Sequence, residues 1–205
     1  MPDQHDDEQP LRFAHQAQWA QWLAQHHASA NGAWLMHAKK GNPDPTVSYA
    51  EALEVALCFG WIDSRKKAHD EQHFLQRWTP RSPKSIWSKV NRDHALRYIE
   101  QGKMQPAGLA EVERARKDGR WDAAYDPVSA APVPPDLQAA LDANPAAAAM
   151  FGKLSSQNRF AILFRLQGAK KPETRAARLE KFVDMLARGE TIHPQRERRA
   201  EGRTH

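Results

Sequence analysis

Disulfide chemistry is excluded from the start. The 205-residue chain has a single cysteine, Cys58, so no internal bridge can staple it, and a reducing cytoplasm is its expected compartment. Long apolar runs are also missing: nothing approaches the roughly 20 residues that a bilayer-crossing helix needs, and no membrane span is expected. The first ten residues, MPDQHDDEQP, hold four acids and no apolar stretch, so neither a secretory signal nor a basic transit peptide is expected. A glycine-rich phosphate loop, a paired-cysteine zinc site and a dinucleotide-binding fingerprint are absent, and no cofactor is expected.

What is present suits a soluble globular chain. Its length allows one or two domains with a proper core, and 27% charged with 40% hydrophobic residues is an ordinary globular balance. Thirty Lys and Arg against 25 Asp and Glu give a net charge of +5, which permits an anionic partner without demanding one.

The punctuation of the chain predicts an α+β N-terminal domain over 11–125, a small antiparallel sheet with helices. A proline-rich linker follows at 126–135 and an all-helical C-terminal domain at 136–190, with disordered tails at 1–10 and 191–205. Trp19, Trp22 and Leu23 share one helical face before Asn31-Gly32, and Ala33–Ala38 reads as a short strand. Ser48 with Glu51 is a capping box. Tyr49, Ala52, Leu53, Ala56 and Leu57 continue from it at helical spacing until Gly60. Trp61-Ile62-Asp63 and His73–Trp78 read as strands able to pair as a hairpin. Helices are expected over Ser85–Gly102 and from Pro106 to Gly119. Asp126–Pro135 carries four prolines in ten residues, too many for a helix or a central strand. Beyond it, Asn144-Pro145, Ser155 or Ser156, and Pro172 open three further helices, the last stopped by Gly189.

Polar and aromatic groups gather at two element junctions: Trp61, Asp63, Arg81, Ser85, Trp87, Ser88 and Asn91. Tryptophan with arginine can stack on a flat ligand. Arg81, Ser85 and the free N–H groups of a helix start can hold a carboxylate or phosphate. The opposing structural reading pairs Asp63 with Arg81, buries the tryptophans and makes Ser85 a cap. Other motifs carry less. His69-Asp-Glu-Gln-His73 has the histidine spacing of a zinc protease but lies between two strands and lacks the glutamate base after its first histidine, so a solvated turn is expected and no metal. Cys58, beside an apolar face with no activating base, reads as a structural thiol. Ser64-Arg-Lys-Lys67 is a chance match to the serine-x-x-lysine pattern. The stretch 65–103 holds ten Lys and Arg against four acids, interleaved with Trp78, Trp87 and Tyr98, the composition of a nucleic-acid face.

The runs EALEVALCFGWIDS (51–64), TPRSPKSIWSKVN (79–91), GKMQPAGLAEVERARKDGRW (102–121) and AKKPETRAARLEKFVDMLARG (169–189) resemble the bacterial YdeI/OmpD-associated, or bacteriocin-protection, family. That resemblance implies a stress- or bacteriocin-protection role and carries no catalytic mechanism with it. The reading that follows is a cytoplasmic protein whose N-terminal domain binds a small anionic molecule or a protein partner. Its rivals are a nucleic-acid-associated protein using the 65–103 face, and an enzyme acting at the Asp63/Arg81 cluster, for which no catalytic residue can be named.

Overall fold

A computed structural model of the chain describes residues 9–126 and 132–195. Of the expected leader at 1–10, linker at 126–135 and tail at 191–205, residues 1–8, 127–131 and 196–205 lie outside the described residues. The chain divides into two compact units, with the boundary between Ala124 and Tyr125. The architecture is α+β, with the only sheet of the described residues in the first unit.

The first unit runs α1 (Gln16–His26), β1 (Ala33–Ala38), α2 (Tyr49–Cys58), β2 (Trp61–Ala68), β3 (His73–Pro80), α3 (Lys89–Glu100) and α4 (Pro106–Lys117). Its strands form an antiparallel sheet in the order β1-β3-β2. β1 pairs with β3 from Ala33↔Trp78 to Ala38↔His73. β2 pairs with β3 from Trp61↔Pro80 to Ala68↔Phe74, with a register shift between Asp63 and Lys66. The second strand is longer than the three residues expected, because its outer part is charged and gives no hydrophobic signal. Leu11 adds a parallel bridge to Leu35 on β1.

The capping box is formed as the sequence requires: the Glu51 amide donates to Ser48 Oγ, and the Ser48 amide donates to the Glu51 carboxylate at 2.8 Å. The helix stops at Gly60, whose φ of +74° only glycine adopts without strain. Gly108 is a glycine for a different reason. A Cβ there would collide with the Cys58 carbonyl, so its absence lets α4 lie directly against the end of α2. Between helices and sheet, Trp19, Trp61 and Trp78 are each at most 1% exposed. Trp19 meets Trp61 edge-on at 6.2 Å and donates its indole N–H to the Ala52 carbonyl at 3.1 Å, satisfying the polar handle that a buried tryptophan carries.

The third helix begins at Lys89, four residues after the expected Ser85. Pro83 lacks an amide, and a tight turn forms in which the Ser82 amide donates to Ser85 Oγ at 2.9 Å. Ser88 caps the helix instead, accepting from the Asn91 amide.

The second unit is helical: α5 (Pro135–Asp142), α6 (Pro145–Gly152), α7 (Ser156–Gln167) and α8 (Pro172–Ala187). Asn144 and Ser155 cap α6 and α7, while Pro135, Pro145 and Pro172 occupy first-turn positions, where no amide is needed. Leu137, Ile162, Leu166 and Leu186 are fully buried between the helices. Two polar devices cross-link them. Arg175 grips Asp136 with two bonds, at 2.7 and 2.8 Å, and donates to the Leu166 carbonyl at 2.8 Å. Asn158, 1% exposed, donates to the His193 carbonyl and accepts from its amide. Residues 191–195, assigned to the disordered tail on their polarity, are therefore tied to α7. Among the described residues, no helix is long and apolar enough to cross a membrane.

Candidate functional site

The structure separates the seven residues singled out by sequence. Trp61 turns its ring into the core, edge-on to Trp19 and Trp22, and donates to the His27 carbonyl at 3.2 Å. Asp63 stands half-buried on β2 opposite Trp78. Ser88 and Asn91 share the cap of α3. Arg81, Ser85 and Trp87 do come together. The Arg81 guanidinium lies 3.6 Å above the Trp87 ring and donates to the Ile86 carbonyl at 3.2 Å. Arg81 is 5% exposed and Trp87 1%.

Four residues that sequence reasoning missed complete this node. Arg114 donates to the Arg81 carbonyl at 3.2 Å and pairs with Glu111. Arg120 donates to the Ser85 carbonyl at 2.5 Å, and Trp121 meets Trp87 edge-on at 5.0 Å. Burial raises the Glu111 carboxyl above its ordinary value, against the opposing pull of Arg114, Arg81 and Arg120. The Glu111/Arg114 spacing of three on a helix was the available signal. Arg114 ties loop 81–88 to α4, and Arg120 and Trp121 tie it to the segment that follows α4, so the arrangement acts as a clamp.

The accessible concentration of charge lies elsewhere. A shallow depression of about 460 Å³ is lined by Lys39, Lys40, Lys66 and Lys67 with Ala38, Ala68 and Phe74. The sheet order assembles it. β1 ends in Lys39-Lys40, β2 supplies Lys66 and Lys67, and the central β3 places Phe74 between them. Phe74 stacks on His37 from the β1 side, with centroids 5.2 Å apart, and the Lys66 ammonium sits 3.9 Å from its centroid on the β2 side. His37 is 1% exposed and donates through Nδ1 to the Val47 carbonyl at 2.8 Å. Burial pushes its imidazole below the ordinary value, the carbonyl opposes that shift and Lys66 adds to it, so the ring is neutral packing beneath the lysines. Asp70 organises the neighbouring hairpin turn, accepting from the amides of Gln72 and His73 at 2.7 and 2.6 Å. That is the role of the His69–His73 segment in this fold.

A second depression of about 520 Å³ lies between α1 and α2, floored by Ala17, Ala20 and Ala24 and rimmed by the Lys103–Glu54 pair. Cys58 lines it but is 6% exposed, and burial pushes its thiol up to about 11, far from the thiolate that reactivity requires.

The fold and its surfaces thus define an α+β unit with a lysine-lined depression, followed by a polar-cross-linked helical unit. Comparison with known proteins assigns the two parts separately. Residues 130–189, less than a third of the chain, match the family described as bacteriocin-protection, YdeI or OmpD-associated. Residues 11–111 match a domain of unknown function, DUF8412. The run 169–189 thus falls inside the bacteriocin-protection match, whereas 51–64 and 79–91 fall inside the other. No curated protein and no solved structure matches the chain.

Proposed function

We propose that this protein acts in bacteriocin protection by binding a small anionic ligand, and that it does so through the lysine depression of its N-terminal unit, in a reducing cytoplasm. One observation carries the reading: four lysines line one depression and no carboxylate does. Lys67 turns its ammonium onto Trp34 on the other face of the sheet, while Lys39, Lys40 and Lys66 bring cations together here, and a ligand bearing several negative charges relieves their mutual repulsion. A volume of about 460 Å³ falls within the roughly 300–1,000 Å³ range of small-molecule sites. The Arg81–Trp87 node, singled out from sequence within a ligand-binding cluster, lies beyond the other end of β3 and fixes the loop that leads into α3.

The test is calorimetric titration of inorganic tripolyphosphate at low ionic strength, with Lys40→Glu/Lys66→Glu as the control. Binding that weakens at least about tenfold in the double variant supports the site. No binding to the wild-type chain removes it. The nucleic-acid reading rests on the basic stretch 65–103, in which Arg65 and Lys66 are exposed on β2. It predicts that a short single-stranded DNA binds with a steep salt dependence and outcompetes tripolyphosphate.

A further inference from the structure

We infer that the anion taken by the lysine depression is a free nucleoside polyphosphate, whose base lies on Phe74 while its phosphates meet Lys39, Lys40 and Lys66. The inference rests on the anion-binding reading above and names its ligand class. A site meant for phosphate alone has no use for an apolar floor, yet this one is floored by Ala38, Ala68 and a half-buried phenyl ring. Phe74 is held by its stacking on His37, so it offers a ring of fixed orientation. What covers it from the β2 side is the ammonium of Lys66, an exposed and flexible side chain, 3.9 Å from the ring centroid. An ammonium can swing away to a phosphate at little cost, leaving the ring for a base. Ala68, the register partner of Phe74 on β2, has no bulk to obstruct a flat group.

The lysines are placed to complete such a ligand. Lys39 and Lys40 follow β1, and Lys66 lies on β2, so charge flanks the ring on both sides of the central strand. Base–aromatic stacking contributes roughly tenfold or more in affinity, and this is the increment the ring adds to what the lysines give a bare polyphosphate.

The experiment compares inorganic tripolyphosphate, ATP, adenosine and a short single-stranded DNA on the full chain by calorimetry, without divalent metal. ATP is expected to bind about tenfold tighter than tripolyphosphate, with adenosine alone weak. Phe74→Leu, checked for folding by circular dichroism, is expected to erase the difference while leaving tripolyphosphate unchanged. If Phe74→Leu fails to fold, Ala68→Phe, which fills the space beside the ring, is expected to lower ATP affinity and spare tripolyphosphate. ATP binding no tighter than tripolyphosphate overturns the nucleoside assignment and leaves the anion site standing. No binding by either overturns both. Tighter binding of the DNA overturns the free nucleotide as ligand.

Discussion

The two units solve the same problem with different materials. All seven tryptophans precede the boundary at Ala124, and the N-terminal core is built on Trp19, Trp61 and Trp78, rings large enough to bridge sheet and helices. The C-terminal unit has none. Two of its helices, α5 and α6, are eight residues long, well below what is stable alone in water. It is held by leucines and phenylalanines together with the Arg175–Asp136 grip and the Asn158 bonds. Bulk stabilises the first unit, and polar cross-links between short helices position the second. A substitution should therefore act by volume in one and by charge and hydrogen bonding in the other.

The sharpest break of that contrast is Trp19→Ala. Removing a fully buried indole costs about 3–5 kcal/mol, and the denaturation midpoint read by tryptophan fluorescence falls accordingly. Fluorescence reports this unit alone, and an unmoved midpoint refutes the aromatic core. Next is Arg81→Ala, an exception placed in the first unit: here charge, not volume, is predicted to matter. The loss of a buried cation stacked on Trp87 and bonded to Ile86 costs about 3 kcal/mol. A fully stable variant that no longer binds tripolyphosphate would instead return Arg81 to the ligand site.

In the second unit, hydrogen bonds from Arg175 hold the Asp136 carboxyl below its ordinary value of 3.8. The depressed value means that the contribution to stability is present above the unfolded carboxylate value and is lost as acid titrates the folded group, below pH 3.8. The pair is about a third exposed, so Asp136→Asn costs at most about 1 kcal/mol at neutral pH. It should also flatten the acid limb of the stability profile, measured by circular dichroism at several pH values. The smallest effect concerns Cys58. Its buried thiol, pushed up to about 11, is expected to resist alkylation at neutral pH until the first unit opens. Rapid labelling of the folded protein would show that the α1–α2 depression reaches further inward than the burial of the thiol allows.

Local signals made part of the fold legible. The Ser48–Glu51 box and the apolar spacing after it specify α2 completely, and the hairpin follows from two β-rich runs around a polar turn. The outer half of β2 was hidden because Arg65 and Lys66 are exposed and Lys67 covers the buried Trp34 with its ammonium, so a run of cations breaks the alternation. The α5 helix was hidden because Pro134-Pro135 reads as a breaker, although a proline at the first helical position costs nothing. The node around Arg81 was half visible: Arg81, Ser85 and Trp87 are close in the chain, whereas Arg114, Arg120 and Trp121 reach them only through the docking of α4 on Gly108. The lysine depression could not be read from spacing at all. Lys39-Lys40 ended one strand and Lys66 belonged to a basic stretch, and only the β1-β3-β2 order brings them around Phe74.

That strand order also bears on colloidal behaviour. β2 forms an outer margin of the sheet, where a strand can recruit a second molecule through its backbone. It carries three consecutive cations, Arg65, Lys66 and Lys67, beside a register shift, both of which discourage such recruitment. Positive charge here also keeps copies of the protein apart. A polyanion that saturates these lysines removes the repulsion along that margin, so the concentration at which the protein stays dispersed should fall as the polyanion is added.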